Sequence, residues 1–205
     1  GRGTLNVDAL RLTAGGVAFQ ELGVAETFAF SLKDYASLTL DQSTTRLTAG
    51  GQVALELGIS GSFDFATRQG TVRAELPRLN HTAMAALPPQ WLGNLSIRNL
   101  AAAGSLDATI KPGLRDILLT GVLKIQEIEV AIPGFEPLPS LQAYTRLETR
   151  LQPDRCEVTK LVFELNSQAK RLAHLVAAAT VPLPLAKGDT TITLSSEGAE
   201  LQALA

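Results

Sequence analysis

Two segments of the chain, Arg11 to Phe30 and Arg46 to Phe65, carry one pattern: RLTAGG, four residues, ELG with Val or Ile, three residues, then Phe-x-Phe. The offset is 35 residues (46 − 11), and Gly15, Gly16, Glu21, Leu22, Gly23, Phe28 and Phe30 return as Gly50, Gly51, Glu56, Leu57, Gly58, Phe63 and Phe65. A chain that repeats at this period stacks copies of one supersecondary unit, because one copy cannot bury its own apolar face. Function in such a chain belongs to a continuous surface and not to one catalytic corner.

Within the repeats the hydrophobic period is two. Val53, Leu55, Leu57 and Ile59 share one parity that continues to Phe63 and Phe65, while Ala54, Glu56 and Gly58 take the other. This is the signature of a strand with one apolar face. The glycine pairs read as tight hairpin turns that need positive φ. Arg68-Gln69-Gly70 supplies a turn, after which Val72, Ala74 and Leu76 begin a new strand.

The alternation continues in short strands at Leu95 and Ile97, and at Leu106, Ala108 and Ile110, ended by Pro112-Gly113. Leu119, Leu123 and Ile125 fall on odd positions, Ile128, Val130 and Ile132 on even ones. One inserted residue at Gln126-Glu127, a β-bulge, would return both sets to one face. Leu141 and Ala143, Leu147 and Leu151, Leu161, Phe163 and Leu165, then Ile192 and Leu194 complete an antiparallel meander. Helix is expected over Asn80 to Leu87, with Asn80 as N-cap and Pro88-Pro89 as the stop. Ser167 to Ala179 fits a helix or a strand, and the strand is preferred.

Composition narrows the function. The chain has 205 residues, 45% hydrophobic but only 5% aromatic, and 19% charged. That charge content lies below the roughly 25% usual for soluble domains, so apolar surface is plentiful. A net charge of −2 with no basic run leaves no footprint for nucleic acid. No stretch reaches the roughly 18 apolar residues of a membrane-spanning helix. With no initiator methionine or leader ahead of Gly1, the chain reads as a section of a larger repeat protein.

Catalytic chemistry has little to work with. His81 and His174 are far apart in sequence and in no metal-binding spacing, and Cys156 stands alone beside Asp154 and Arg155 in an expected turn. Neither glycine pair is followed by the Lys-Ser or Lys-Thr of a phosphate loop. Glu21 and Glu56 read as the solvated side of two equivalent strands. The expectation is a protein that is not an enzyme and needs no cofactor or metal.

What the apolar face packs against decides the function. Closed over a second sheet, as a β-sandwich, it is core. In one elongated, curled antiparallel sheet it is an open channel, and exposed apolar surface of that size marks a partner, a membrane or a lipid. Periodicity leaves both open. A structural or adhesive β-repeat segment predicts the closed core, and a protein-binding accessory domain of the envelope predicts a covered sheet edge.

The stretch from Leu79 to Gly113, LNHTAMAALPPQWLGNLSIRNLAAAGSLDATIKPG, resembles the AsmA-like repeats of diderm bacterial envelope proteins. It has a short helix ending in proline, a glycine-containing link, then strands with a Gly-Ser-Leu step and a closing Pro-Gly. The tail from Gly188 to Ala205, GDTTITLSSEGAELQALA, is similar to Gly70 to Leu87, as the start of another unit would be. The resulting organisation is duplicated β-repeats over residues 1–78 and an AsmA-like unit with the start of the next over 79–205.

The resemblance, which extends to TamB-like and YhdP-like proteins, implies a periplasmic section of an inner-membrane-anchored protein with a U-shaped β-groove. Its implied role is moving phospholipid between the inner and outer membranes, as in bridge-like lipid transfer proteins. Membrane contact would be made by other parts of the parent protein, and an excised section could form a homodimer to hide its groove. The family offers no residue-level motif, so the alternation supplies the candidate acyl-contacting residues. They are Val53, Leu55, Leu57, Ile59, Phe63 and Phe65; Leu119, Leu123 and Ile125; Ile128, Val130 and Ile132; and Leu161, Phe163 and Leu165.

Overall fold

The computed structural model describes residues 1–10, 13–14, 17–18, 22–85, 96–131, 140–167, 170–183 and 190–196. Strands dominate, as the period-two pattern requires. They are β1 (Arg2–Leu10), β2 (Thr13–Ala14), β3 (Val17–Ala18), β4 (Leu22–Lys33), β5 (Ser37–Ala49), β6 (Gln52–Asp64) and β7 (Gln69–Asn80). After the helical turn α1 (Thr82–Ala85) come β8 (Ser96–Ile110), β9 (Ile117–Ala131), β10 (Leu141–Leu151), β11 (Arg155–Ser167), β12 (Lys170–Pro182) and β13 (Thr191–Ser196).

Eleven of these strands form one antiparallel sheet in the order β1-β4-β5-β6-β7-β8-β9-β10-β11-β12-β13. The remaining two, β2 and β3, pair only with each other. The sheet is elongated, curled and not closed on itself. Among the described residues the only other sheet is the β2-β3 pair of two-residue strands, too small to close a sandwich over eleven strands, so the closed sandwich is set aside in favour of the single open sheet.

The repeat has a direct structural meaning. Leu22, Phe28 and Phe30 lie on β4, and their counterparts Leu57 and Phe63 lie on β6 with Phe65 just beyond it. The two strands run in the same direction with β5 between them. Each unit therefore adds two strands. In both copies the paired phenylalanine rings touch, with centroids 6.2 Å apart for Phe28 and Phe30 and 5.4 Å for Phe63 and Phe65. Gly50 and Gly51 turn β5 into β6 with φ of 58° and 76°, the positive values expected of that pair. Their counterparts Gly15 and Gly16 lie outside the described residues.

Nearly every ladder carries a bulge. The one expected at Gln126-Glu127 is present, for Ile125 pairs with Ala102, Glu127 with Ala101 and Ile128 with Leu100. It makes one strand, β9, of what parity alone splits in two, and it keeps Ile125 and Ile128 on one face. Pro77 sits in the register shifts that β7 shows toward both neighbours, where its missing N–H costs no regular ladder bond.

Other local expectations are adjusted. The two strands inferred around Ile97 and Leu106 are a single strand, β8, with a second bulge between Ile97 and Asn99. Helix α1 spans Thr82–Ala85, and residues 86 and 87 of the expected span lie outside the described residues. Asn80 caps it as anticipated, accepting from the Thr82 N–H at 3.0 Å while its amide donates to the Val53 carbonyl at 2.7 Å. The ambiguous segment after Ser167 is strand β12. Cys156 lies within β11, not in a turn, opposite Leu151 and Val181.

Candidate functional site

Directly opposed residues in a ladder share a face, so the registers sort every strand residue onto one of two sides. One side is charged. Arg46 and Glu56 meet at 3.4 Å, Arg73 reaches Asp107 at 3.5 Å, and Arg146 reaches Glu148 at 2.8 Å. These pairs are solvent-exposed and each contributes little, on the order of 0–1 kcal/mol. Glu56 thus lies on the solvated side, as read from the sequence.

The other side is aliphatic across all eleven strands. Starting from β6, Leu55, Leu57, Ile59, Gly61 and Phe63 stand opposite Leu47, Thr45, Ser43, Leu40 and Leu38 on β5. Toward β13 the same face passes through Val72, Ala74 and Leu76, then Leu106 and Ala108, and reaches Leu119, Leu123, Ile125 and Ile128 on β9. It continues through Leu147 and Ala143 to Leu161, Phe163 and Leu165 on β11, and ends with Ile192 and Leu194 on β13.

The candidate residues therefore come together on one face, with three adjustments. Val53 pairs with Thr48, which points away from Leu47, so it stands on the charged side. The cause is a bulge at Ala54, which inserts one residue between Val53 and Leu55 and reverses the parity. Ala54, expected on the solvated side, is instead fully buried beside Leu22, Ala49 and Ala83. Val130 has the register of the apolar face through Ile97, and Ile132 lies outside the described residues.

Burial grades along the strands. Leu22, Ala49, Ala54, Leu100, Ala102 and Leu172 are buried, and all sit at the end of the sheet where α1 packs over β5 and β6. Toward the opposite end, with its short turns, the same face is open. Phe30, Leu32, Leu38, Val72, Leu106 and Leu123 are each at least 36% exposed there. Of the large hydrophobics exposed to that degree, Tyr35 and Leu114 lie in turns, Phe65 lies in a turn with its ring against Phe63, and Leu118 lies on the charged side. The remainder belong to the apolar face. Its open end holds an apolar depression of about 220 Å³ between Leu38, Leu40, Ile59, Phe63 and Val72. Gly61 lines it too, and a Cβ there would come within 2.3 Å of the Thr71 carbonyl oxygen, so the position takes no side chain.

One polar feature on this face escaped the sequence reading. Glu26 stands opposite Leu5 and Thr45, and Ser43 and Thr45 both donate their hydroxyls to its carboxylate. Among the described ladder pairs it is the only carboxylate on the apolar side. The two hydroxyl bonds hold its pKa below the ordinary glutamate value, against a smaller opposing effect of burial. The signal was present, since Glu26 shares the parity of Leu22, Val24, Phe28 and Phe30, and occupies the repeat position that Gly61 fills in the second copy.

Two more carboxylates titrate low. Asp64 accepts from the backbone and side chain of Thr67, and Asp116 accepts a two-pronged bond from Arg150. Depressed folded-state pKa values mean that the unfolded chain binds protons first as pH falls. Stability is therefore expected to be level from neutrality to about pH 5 and to decline below about pH 4. Urea unfolding across pH checks this, with stability that rises on acidification as the opposing result.

No grouping of three or more His, Cys, Asp or Glu that could hold a metal ion occurs among the described residues. His81 is exposed in a turn, and His174 lies 3.7 Å from Glu164 on the charged side. No protein family, curated protein or solved structure matches this chain.

Proposed function

We propose that this chain is a section of a lipid-carrying β-groove, in which acyl chains lie along the apolar face while headgroups project into water. The observation that carries the reading is the concentration of exposed large aliphatic and aromatic side chains on one side of a single open sheet. A face without a covering layer leaves that surface to a ligand, and contiguous exposure of this kind is rare unless something binds there. Transfer along it rests on nondirectional burial, about 25 cal/mol per Å² of apolar surface, which holds a chain without fixing it at one position.

The resemblance to AsmA-like repeats supports placing this section in the periplasm, within a protein anchored in the inner membrane that moves phospholipid toward the outer membrane. In this role the chain is a conduit and not an enzyme. Titration of the protein with cis-parinaric acid is expected to give a saturable rise in probe fluorescence that a short-chain phospholipid reverses. A protein that leaves the probe dark at all concentrations would contradict the reading.

A further inference from the structure

Among the described ladder pairs, Glu26 is the one carboxylate on the apolar face. Glu26 is half-buried between Leu5 and Thr45, with Val24 and Phe28 as its neighbours along β4. Both hydroxyls that reach it are donors, so they stabilise the anion without neutralising it. Among the described residues no lysine, arginine or histidine pairs with it. Held ionised by its two hydroxyl donors and with lone pairs to spare, the carboxylate is free to accept a cation from solvent.

Its surroundings define what that cation must be attached to. Ser43 stands directly opposite Ile59, and Ile59 lines the apolar depression at the open end of the face. Glu26 shares a row with Thr45 and Leu57, and Ile59 stands one row further along β6, so the two are roughly 12 Å apart. On the same strand, Phe28 and Phe30 present a stacked ring pair, and Phe30 is 40% exposed. A carboxylate on the same strand face as an exposed aromatic ring, Phe30, suits an ammonium group, which gains from both the charge and the ring. A hydrophobic depression one headgroup length away suits the chain attached to it.

We propose that Glu26, supported by Ser43 and Thr45, is a headgroup station for ammonium-bearing amphiphiles whose acyl chains enter the depression lined by Leu40, Ile59 and Val72. This rests on the acyl-chain reading of the face and adds a preference for one headgroup charge. The carboxylate is ionised throughout the neutral range, because hydrogen bonding lowers its pKa. Anionic amphiphiles of the same chain length are disfavoured at this station by like-charge repulsion.

The test compares dodecylphosphocholine, dodecyl sulfate and dodecyl maltoside below their micelle concentrations, each displacing cis-parinaric acid from the wild-type protein, Glu26→Gln and Glu26→Asp. The wild type is expected to favour the phosphocholine over the sulfate by about tenfold, equivalent to roughly 1.4 kcal/mol. Glu26→Gln is expected to remove most of that preference and leave maltoside binding unchanged, and Glu26→Asp to retain it. Equal affinity for all three heads in wild type and Glu26→Gln would overturn the headgroup station while the acyl-chain reading stands. Failure of the maltoside to bind at all would overturn both.

Discussion

Replacing Ala54 by aspartate is expected to destabilise the protein by about 3–5 kcal/mol, the range for an uncompensated charge placed in a packed site. Ala54 is fully buried, and its neighbours Leu22, Ala49 and Ala83 are each less than a tenth exposed, with Leu47 and Leu79 packed around them. All of these are apolar, so a carboxylate here would have no side-chain donor among them. The bulge fixes the side chain beneath α1, and Asn80 pins that helix to the Val53 carbonyl. The residue therefore cannot rotate to the solvated side without breaking the register of β5 and β6. Urea unfolding measures the loss. Ala54→Gly separates the effect of charge from that of backbone freedom, at an expected cost nearer 1 kcal/mol. A loss below about 1 kcal/mol for the aspartate would mean that this end of the face is not sealed.

Leu123→Asp acts on the open end and should spare the fold. Leu123 is 39% exposed and faces Gly104 on one side and Thr145 on the other, so the folded state loses only part of a leucine's burial, about 1 kcal/mol. For a bound acyl chain the change presents a charge where hydrocarbon should lie. Uptake of cis-parinaric acid is expected to fall at least about tenfold, and Leu57→Asp should behave alike. Lys124→Asp is the matched control, because its neighbouring position on β9 points to the charged side, opposite Ala103 and Tyr144. It should leave uptake unchanged. Equal losses for Leu123→Asp and Lys124→Asp would show that the effect is general and not confined to one face.

Much of this architecture is legible in the sequence, because a side-chain period of two states which residues share a face without any knowledge of neighbouring strands. The parity slip at Gln126-Glu127 even announced its bulge, since apolar residues flank it on both sides. The bulge at Ala54 was silent for a physical reason. Alanine is small enough to read as either face, and the apolar run from Val53 to Ile59 keeps an unbroken parity that conceals the inserted residue. Long strands were harder to recognise than faces. Ser96–Ile110 holds a second bulge and a run of alanines, Ala101 to Ala103, in which polarity does not alternate.

The openness of the face was not legible in the periodicity and was expected only from the resemblance to AsmA-like repeats. A core leucine and a lipid-facing leucine have the same side chain, and only the three-dimensional arrangement distinguishes Leu100, at 7% exposure, from Leu106, at 41%. Glu26 was overlooked for a related reason. Glutamate in a strand is ordinarily assigned to solvent, and its partners Ser43 and Thr45 are brought to it by the β4–β5 register, seventeen and nineteen residues away in sequence.

The most direct test of the open groove is organic extraction of the purified wild-type protein followed by mass spectrometry for co-purified lipid, with a closed β-sandwich protein purified identically as the control. The account predicts phospholipid in near-stoichiometric amount from this protein and none from the control. Lipid-free protein that also fails to take up lipid from vesicles would contradict it.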